Sequence, residues 1–143
     1  MAGILLLAGC ARSVAVDPPS SPDPQAAELC TTFTSALPDS LETAGERRDV
    51  DPASDLTAAY GDPPVAIRCG VPTPDALTPT SQLVTVDGVD WLPEQLTEGW
   101  LLTTVGRQAN VEVSVPSARG PAPSMAADLA PTIESTIPAS AAG

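Results

Sequence analysis

The chain has 143 residues, enough for one domain, and its 18 acidic against 6 basic residues give a formal net charge of −12. A surface of this sign repels nucleic acids, so no nucleic-acid partner is expected. There is no histidine, which excludes Ser/His/Asp and Cys/His catalysis. With three cysteines and no histidine, neither a metal site nor a cofactor is expected.

The amino terminus has the form of a bacterial lipobox, with Leu-Ala-Gly-Cys at residues 7–10. Small residues let a signal peptidase approach the backbone, and the Cys10 sulfur then receives a lipid whose acyl chains insert into a bilayer. Residues 1–10 are therefore predicted to be a lipoprotein signal. The signal is truncated, because it lacks a basic region and its apolar run is short. A chance cysteine after an apolar terminus is the alternative.

Residues 11–22 are rich in Pro and Ser, which favours an extended, solvated tether. A tail with no role is the alternative. A single domain is predicted over residues 23–138, opening with an N-cap at Asp23 and a helix that ends before Pro38. The buried face of this helix repeats every three or four residues and comprises Ala26, Cys30, Phe33 and Leu37.

The middle of the chain mixes loop and strand signals. Residues 41–55 are polar and are predicted to be a loop, and the cap-then-proline signal at Asp51 predicts a short helix through Ala59. Residues 65–69 alternate as a strand does, with Val65, Ile67 and Cys69 on one face.

Two strand pairs and a helix are predicted to follow. Asp87-Gly88 lies between alternating apolar runs and predicts a tight hairpin turn with positive φ at both residues. A second pair is predicted over 100–105 and 109–115. The last helix is predicted to be capped by Ser124 and kinked or split by Pro131, with its buried stripe at Met125, Leu129, Ile133 and Ile137 and a frayed tail at 139–143.

These elements predict an α+β fold. Short turns between neighbouring strands favour a mostly antiparallel sheet of about four or five strands. The N-terminal and C-terminal helices are predicted to pack on one face of that sheet.

Cys30 and Cys69 are predicted to form a structural disulfide. Both lie on predicted core faces, which a helix packed on a sheet brings together, and the lipobox accounts for Cys10. A redox pair or a metal pair is the alternative, which suits exposed and reactive thiols better than buried ones.

Three further residues are candidates for ligand or partner contact: Arg68, Arg107 and Trp91. The arginines could bind an anion, although ion pairs with nearby acids are the more ordinary interpretation. Trp91 and Trp100 are interpreted as core anchors first and as an exposed ligand platform second. Asp87 and Asp90 provide too few oxygens for Ca²⁺ and are interpreted as turn residues.

Several segments together resemble a known family. The sequence over 61–71, the run over 86–92, and Gly106-Arg107 leading into 111–116 are similar to actinobacterial envelope proteins grouped as domain of unknown function 3515. Members typically have a membrane-targeting N-terminus, a cysteine in the first helix and Trp-Gly-Asp-Pro-Pro before Arg-Cys-Gly-Val-Pro. Tyr60 stands where that Trp would be. The resemblance implies export and a shared fold, and it brings no catalytic residue.

Two classes of function follow. The first is a non-enzymatic module, anchored by lipid to the extracytoplasmic face of the plasma membrane, that binds an envelope protein or a cell-wall partner. The second is a carboxylate-dependent cell-wall hydrolase, which needs two acids converging in a cleft. An exposed apolar patch near a Trp favours the first class.

Overall fold

A computed structural model describes residues 12–141, so Cys10 and the predicted lipobox lie outside the described residues. Helix α1 spans Pro24–Ala36, helix α2 spans Ala122–Thr136, and a 3-10 turn covers Ser117–Arg119. The strands are β1 (Val14–Ala15), β2 (Ser40–Leu41), β3 (Gly45–Arg48), β4 (Val50–Asp51), β5 (Thr57–Tyr60), β6 (Val65–Cys69), β7 (Val84–Val86), β8 (Val89–Leu96), β9 (Gly99–Val105) and β10 (Val111–Pro116). The α+β class is confirmed.

The main sheet is antiparallel and has eight strands in the order β2-β3-β5-β6-β10-β9-β8-β7 within the described residues. The prediction of four or five strands was therefore too low. The predicted loop over 41–55 was wrong because it contributes β3 and β4, and the helix predicted from Asp51 was wrong because Thr57–Tyr60 is a strand. β3 and β4 are short and carry charged side chains, and all four residues of β5 are buried, so none of these strands shows a clear alternation.

The predicted hairpins are confirmed. Asp87 and Gly88 have φ of 48° and 83°, as a tight turn with two left-handed residues requires. β8 continues to Leu96 and pairs with β9 along its length, and β9 pairs in turn with β10.

Both helices lie on one face of the sheet and bury a common core with it. The Asp23 carboxylate caps α1 by accepting from the amides of Gln25 and Ala26 at 3.1 and 3.2 Å. The predicted disulfide is present, with 5.4 Å between the Cα atoms of Cys30 and Cys69. It fastens α1 to β6.

Tyr60 lies at the far end of α1 and is buried in this core. Its hydroxyl donates to the main-chain oxygen of Pro38 at 2.6 Å. Desolvation by burial raises the pKa of Tyr60 from its ordinary value of 10.0, against a lowering by Arg47.

Helix α2 begins earlier than predicted and is not split. It starts at Ala122, after Pro121, so Ser124 lies inside the first turn and does not cap it. Pro131 lies within the continuous helix and is exposed. The predicted stripe is confirmed, since its four residues, Met125, Leu129, Ile133 and Ile137, are fully buried.

The opposite face of the sheet is partly covered by residues 12–22, which we call the strap. The sequence predicted a solvated tether over 11–22, but the strap is docked on the sheet. Its residues Val14 and Val16 are only 8% and 5% exposed. β1 pairs in parallel with β4, and the two valines pack on Ala59. Periodicity did not reveal this strand because two residues are too short to show it.

The C-terminal residues return to the sheet. The Ser140 amide donates to the Gly106 oxygen at 2.8 Å, and Ala139 forms a bridge with Arg107. Residues 139 and 140 are therefore paired, where the sequence predicted fraying.

Candidate functional site

An apolar cleft lies where the sheet extends beyond the cover of α1. The alternation of β7, β8 and β9 turns Val84, Trp91 and Trp100 toward the helix side of the sheet. On this side α2 packs against β7, β8 and β9, and the first turns of α2 form one wall of the cleft. A gap is left because one helix end cannot cover three strands.

The cleft has a volume of about 280 Å³, near the lower end of ordinary small-ligand pockets. No charged side chain of the described residues lines it. Its walls are Val84, Val86, Trp91, Pro93, Trp100, Leu102, Pro121, Ala122, Pro123 and Ala126. Such a surface can hold a hydrocarbon group or an apolar segment, because it offers area to bury and little to hydrogen-bond.

The two tryptophans of the cleft differ in exposure. Trp91 is 1% exposed, which agrees with its interpretation as a core anchor, whereas Trp100 is 37% exposed. Val84, which also lines the cleft, is 40% exposed. The buried indole Nε1 of Trp91 finds no hydrogen-bond partner among the described residues. Trp91 therefore forms a buried wall of the cleft and Trp100 forms its rim.

Arg107 lies outside the cleft and has a bracing role. Its guanidinium donates to the main-chain oxygens of Ile137 and Gly88, each at 3.1 Å. It thereby ties the end of α2 to the β7–β8 turn.

Arg68 lies on the opposite face of the sheet and forms an ion pair. Its Nη1 lies 3.0 Å from the Glu112 carboxylate, and its Nε donates to the Asp17 oxygen at 2.8 Å. Arg68 therefore holds the strap, and the structure brings neither arginine together with Trp91.

A polar depression surrounds this ion pair on the strap side of the sheet. It has a volume of about 760 Å³, and three carboxylates line it, those of Asp75, Glu94 and Glu112. Among residues 12–141, no cluster of three or more His, Cys, Asp or Glu side chains is placed to hold a metal ion. The Asp90 carboxylate accepts from the Thr85 hydroxyl across the β7–β8 pair, in keeping with a turn role.

The sequence indicated part of this cleft. Trp91 and Trp100 were both singled out, as core anchors first and as an exposed platform second, but the sequence could not show that only Trp100 would be exposed. Pro121 and Pro123 flank the start of α2 and were not singled out. The signal that could have marked them is the run Gly-Pro-Ala-Pro at the start of an apolar helix.

No helix within residues 12–141 has the length and apolar character needed to cross a membrane. Comparison with curated proteins and with solved structures found no match. A family model described as "Protein of unknown function (DUF3515)" matches residues 1–142. The resemblance inferred from the motifs is thus confirmed over nearly the whole sequence, and the chain belongs to the DUF3515 family.

Proposed function

We propose that this protein is a non-enzymatic module, held by a lipid on Cys10 to the extracytoplasmic face of a bacterial plasma membrane, and that its cleft binds an apolar group. The observation that carries the proposal is the uncharged cleft with Trp100 at its rim. The occupant is a hydrocarbon ligand or an apolar segment of an envelope or cell-wall partner.

The chemistry of the walls supports binding over catalysis at the cleft. General acid–base or nucleophilic catalysis needs a group that exchanges a proton or an electron pair, and the lining offers none. Burial of apolar area contributes about 25 cal/mol per Å². A ligand of modest size therefore gains affinity here without any polar contact.

The binding part of the proposal is tested with a fluorescent hydrocarbon probe and two matched variants. Ala126 lines the cleft and neighbouring Ala127 does not. Ala126→Leu fills the cleft and should abolish binding of diphenylhexatriene, whereas Ala127→Leu adds the same atoms elsewhere and should preserve it. Equal binding by the two variants would place the probe outside the cleft.

The anchoring part is tested by fractionation in a bacterium that lipidates lipoproteins. The gene, with a complete signal sequence, should yield a membrane-bound protein that carries acyl groups by mass spectrometry. Cys10→Ala should release it. Equal membrane association of the two forms would refute the lipid anchor.

A second candidate function, a carboxylate-dependent cell-wall hydrolase, is favoured by the polar depression. Glycosidases use one acid and one base or nucleophile, and Glu94 and Glu112 line the same concavity. Glu112 already forms an ion pair with Arg68, so a substrate would have to compete with the guanidinium for this carboxylate. Hydrolysis of purified cell wall that Glu94→Gln abolishes would support this candidate over the binding module.

A further inference from the structure

The rim of the cleft at Trp100 and Pro121 lies at one particular end of the sheet, which we call the turn end. It comprises the β5–β6 turn (61–64), the β8–β9 turn (97–98) and the connection from β10 to α2 (117–121). The register brings these together, since Pro116 and Leu96 both pair with Gly99 and Ser114 pairs with Ala66 beside the β5–β6 turn. The Ser117 amide also donates to the Glu98 oxygen at 3.0 Å.

The first described residue, Arg12, is fixed at this same end. The Arg48 guanidinium donates to the Arg12 oxygen at 2.6 Å and to the Gly61 oxygen at 2.9 Å. Gly61 in turn lies against Arg119, because a Cβ built on Gly61 would be 3.0 Å from Arg119 Nη2. Arg119 precedes Pro121 of the cleft wall by two residues.

The docked strap leaves almost no free tether after Cys10. Arg12 follows Cys10 by two residues, and two residues span at most about 7 Å. A lipid on Cys10 would therefore enter the bilayer close beside the turn end. The domain cannot stand off the membrane as a tether over 11–22 would allow.

We propose that the turn end rests on the bilayer and that an acyl chain of a bilayer lipid occupies the cleft. This inference rests on the lipid anchor proposed above. The rim residue Trp100 and neighbouring Leu96 are 37% and 45% exposed, and tryptophan is enriched at the membrane interface. The cleft wall offers the hydrocarbon a continuous apolar path from Trp100 at the rim to buried Trp91.

The charge of the protein explains why the anchor is needed. A net charge of −12 repels the anionic surface of a bacterial membrane. The anchor holds the domain within reach of the bilayer in spite of that repulsion, and the cleft then makes the short-range contact. The Cys10→Ala protein is accordingly expected not to bind anionic vesicles.

Quenching by brominated lipids tests the proposal on the full-length lipidated protein. The protein is reconstituted in phosphatidylcholine vesicles whose acyl chains carry bromine, which quenches indole emission on contact. The Trp100→Phe variant isolates Trp91, which is buried and borders the cleft. Bromolipid should quench Trp91 in this variant, because only a chain inside the cleft reaches that indole.

Matched variants separate occupancy of the cleft from mere proximity to the bilayer. Adding Ala126→Leu to Trp100→Phe should remove the quenching of Trp91, and adding Ala127→Leu should leave it. Unquenched Trp91 in a protein that floats with the vesicles would overturn the acyl-chain proposal and leave the anchor standing. A protein that carries no acyl group by mass spectrometry would overturn both.

Discussion

The helix side of the sheet is closed over β5 and β6 and open over β7, β8 and β9. On the closed side α1 contacts β6 and α2, a disulfide joins helix to strand, and Phe33, Tyr60 and Ile67 are no more than 1% exposed. On the open side the sheet continues past the cover of α1 and Trp100 is 37% exposed. The same sheet thus forms a closed core where α1 and the disulfide cover it and an apolar cleft where the first turns of α2 do.

The largest expected effect lies on the closed side. Replacing Cys30 and Cys69 together by Ala should lower the free energy of unfolding by about 4 kcal/mol, because the bond closes a loop with a sequence separation of 39. Denaturant unfolding of non-reduced protein measures the change. The control Cys10→Ala should unfold like the parent. A loss below about 1 kcal/mol would show that the closed side does not depend on its covalent link.

The same substitution at two helix positions compares the sides directly. Ala126 and Ala130 on α2 are each 1% exposed, but only Ala126 borders the cleft. Ala130→Leu overpacks the core and should cost about 2 kcal/mol. Ala126→Leu can direct its added atoms into the cleft and should cost less, about 0.5 kcal/mol. Equal losses would mean that the cleft has no room for added atoms.

A smaller effect is expected where Arg68 holds the strap. Arg68→Ala removes a partly exposed ion pair and the bond to the Asp17 oxygen, so a loss of about 1 kcal/mol is expected. Hydrogen exchange should speed up at the Val16 amide, which bonds the Asp51 oxygen. Arg107→Ala serves as the control, and unchanged exchange at Val16 in Arg68→Ala would show that Arg68 does not hold the strap.

The smallest effect is confined to high pH. Burial raises the pKa of Tyr60 above 10.0 in the folded state, so the folded state favours the neutral phenol over the phenolate. The contribution of neutral Tyr60 to the free energy of unfolding is complete below pH 10.0 and is lost as the pH rises through the pKa of the folded state. Unfolding followed across this range should show a steeper decline for the parent than for Tyr60→Phe. Parallel curves would contradict the assignment.

Periodicity predicted the elements that bury a long regular face. Helix α1, the stripe of α2, and the alternation of Val65 with Ile67 and of Val111 with Val113 all follow from local spacing. The Cys30–Cys69 bond followed from two such faces having to meet. These predictions succeeded because one local rule decides where each side chain points.

The missed features depend on contacts that local spacing does not encode. β1 and β4 have two residues each, and their pairing is supported by Arg48 and Arg68 from elsewhere in the chain. The exposure of Trp100 depends on where α2 begins, and Pro121 rather than Ser124 decides that. The cleft is a property of how far the sheet extends beyond its helices.

The proposed orientation places the turn end of the domain against the membrane. NMR of the lipidated protein in bicelles that contain lipids with spin-labelled headgroups can locate this contact. The amide signals of Gly61 and Gly120 at the turn end should broaden, and those of Gly70 and Asn110 at the opposite end should be retained. Broadening of Gly70 and Asn110 instead, or of neither pair, would contradict it.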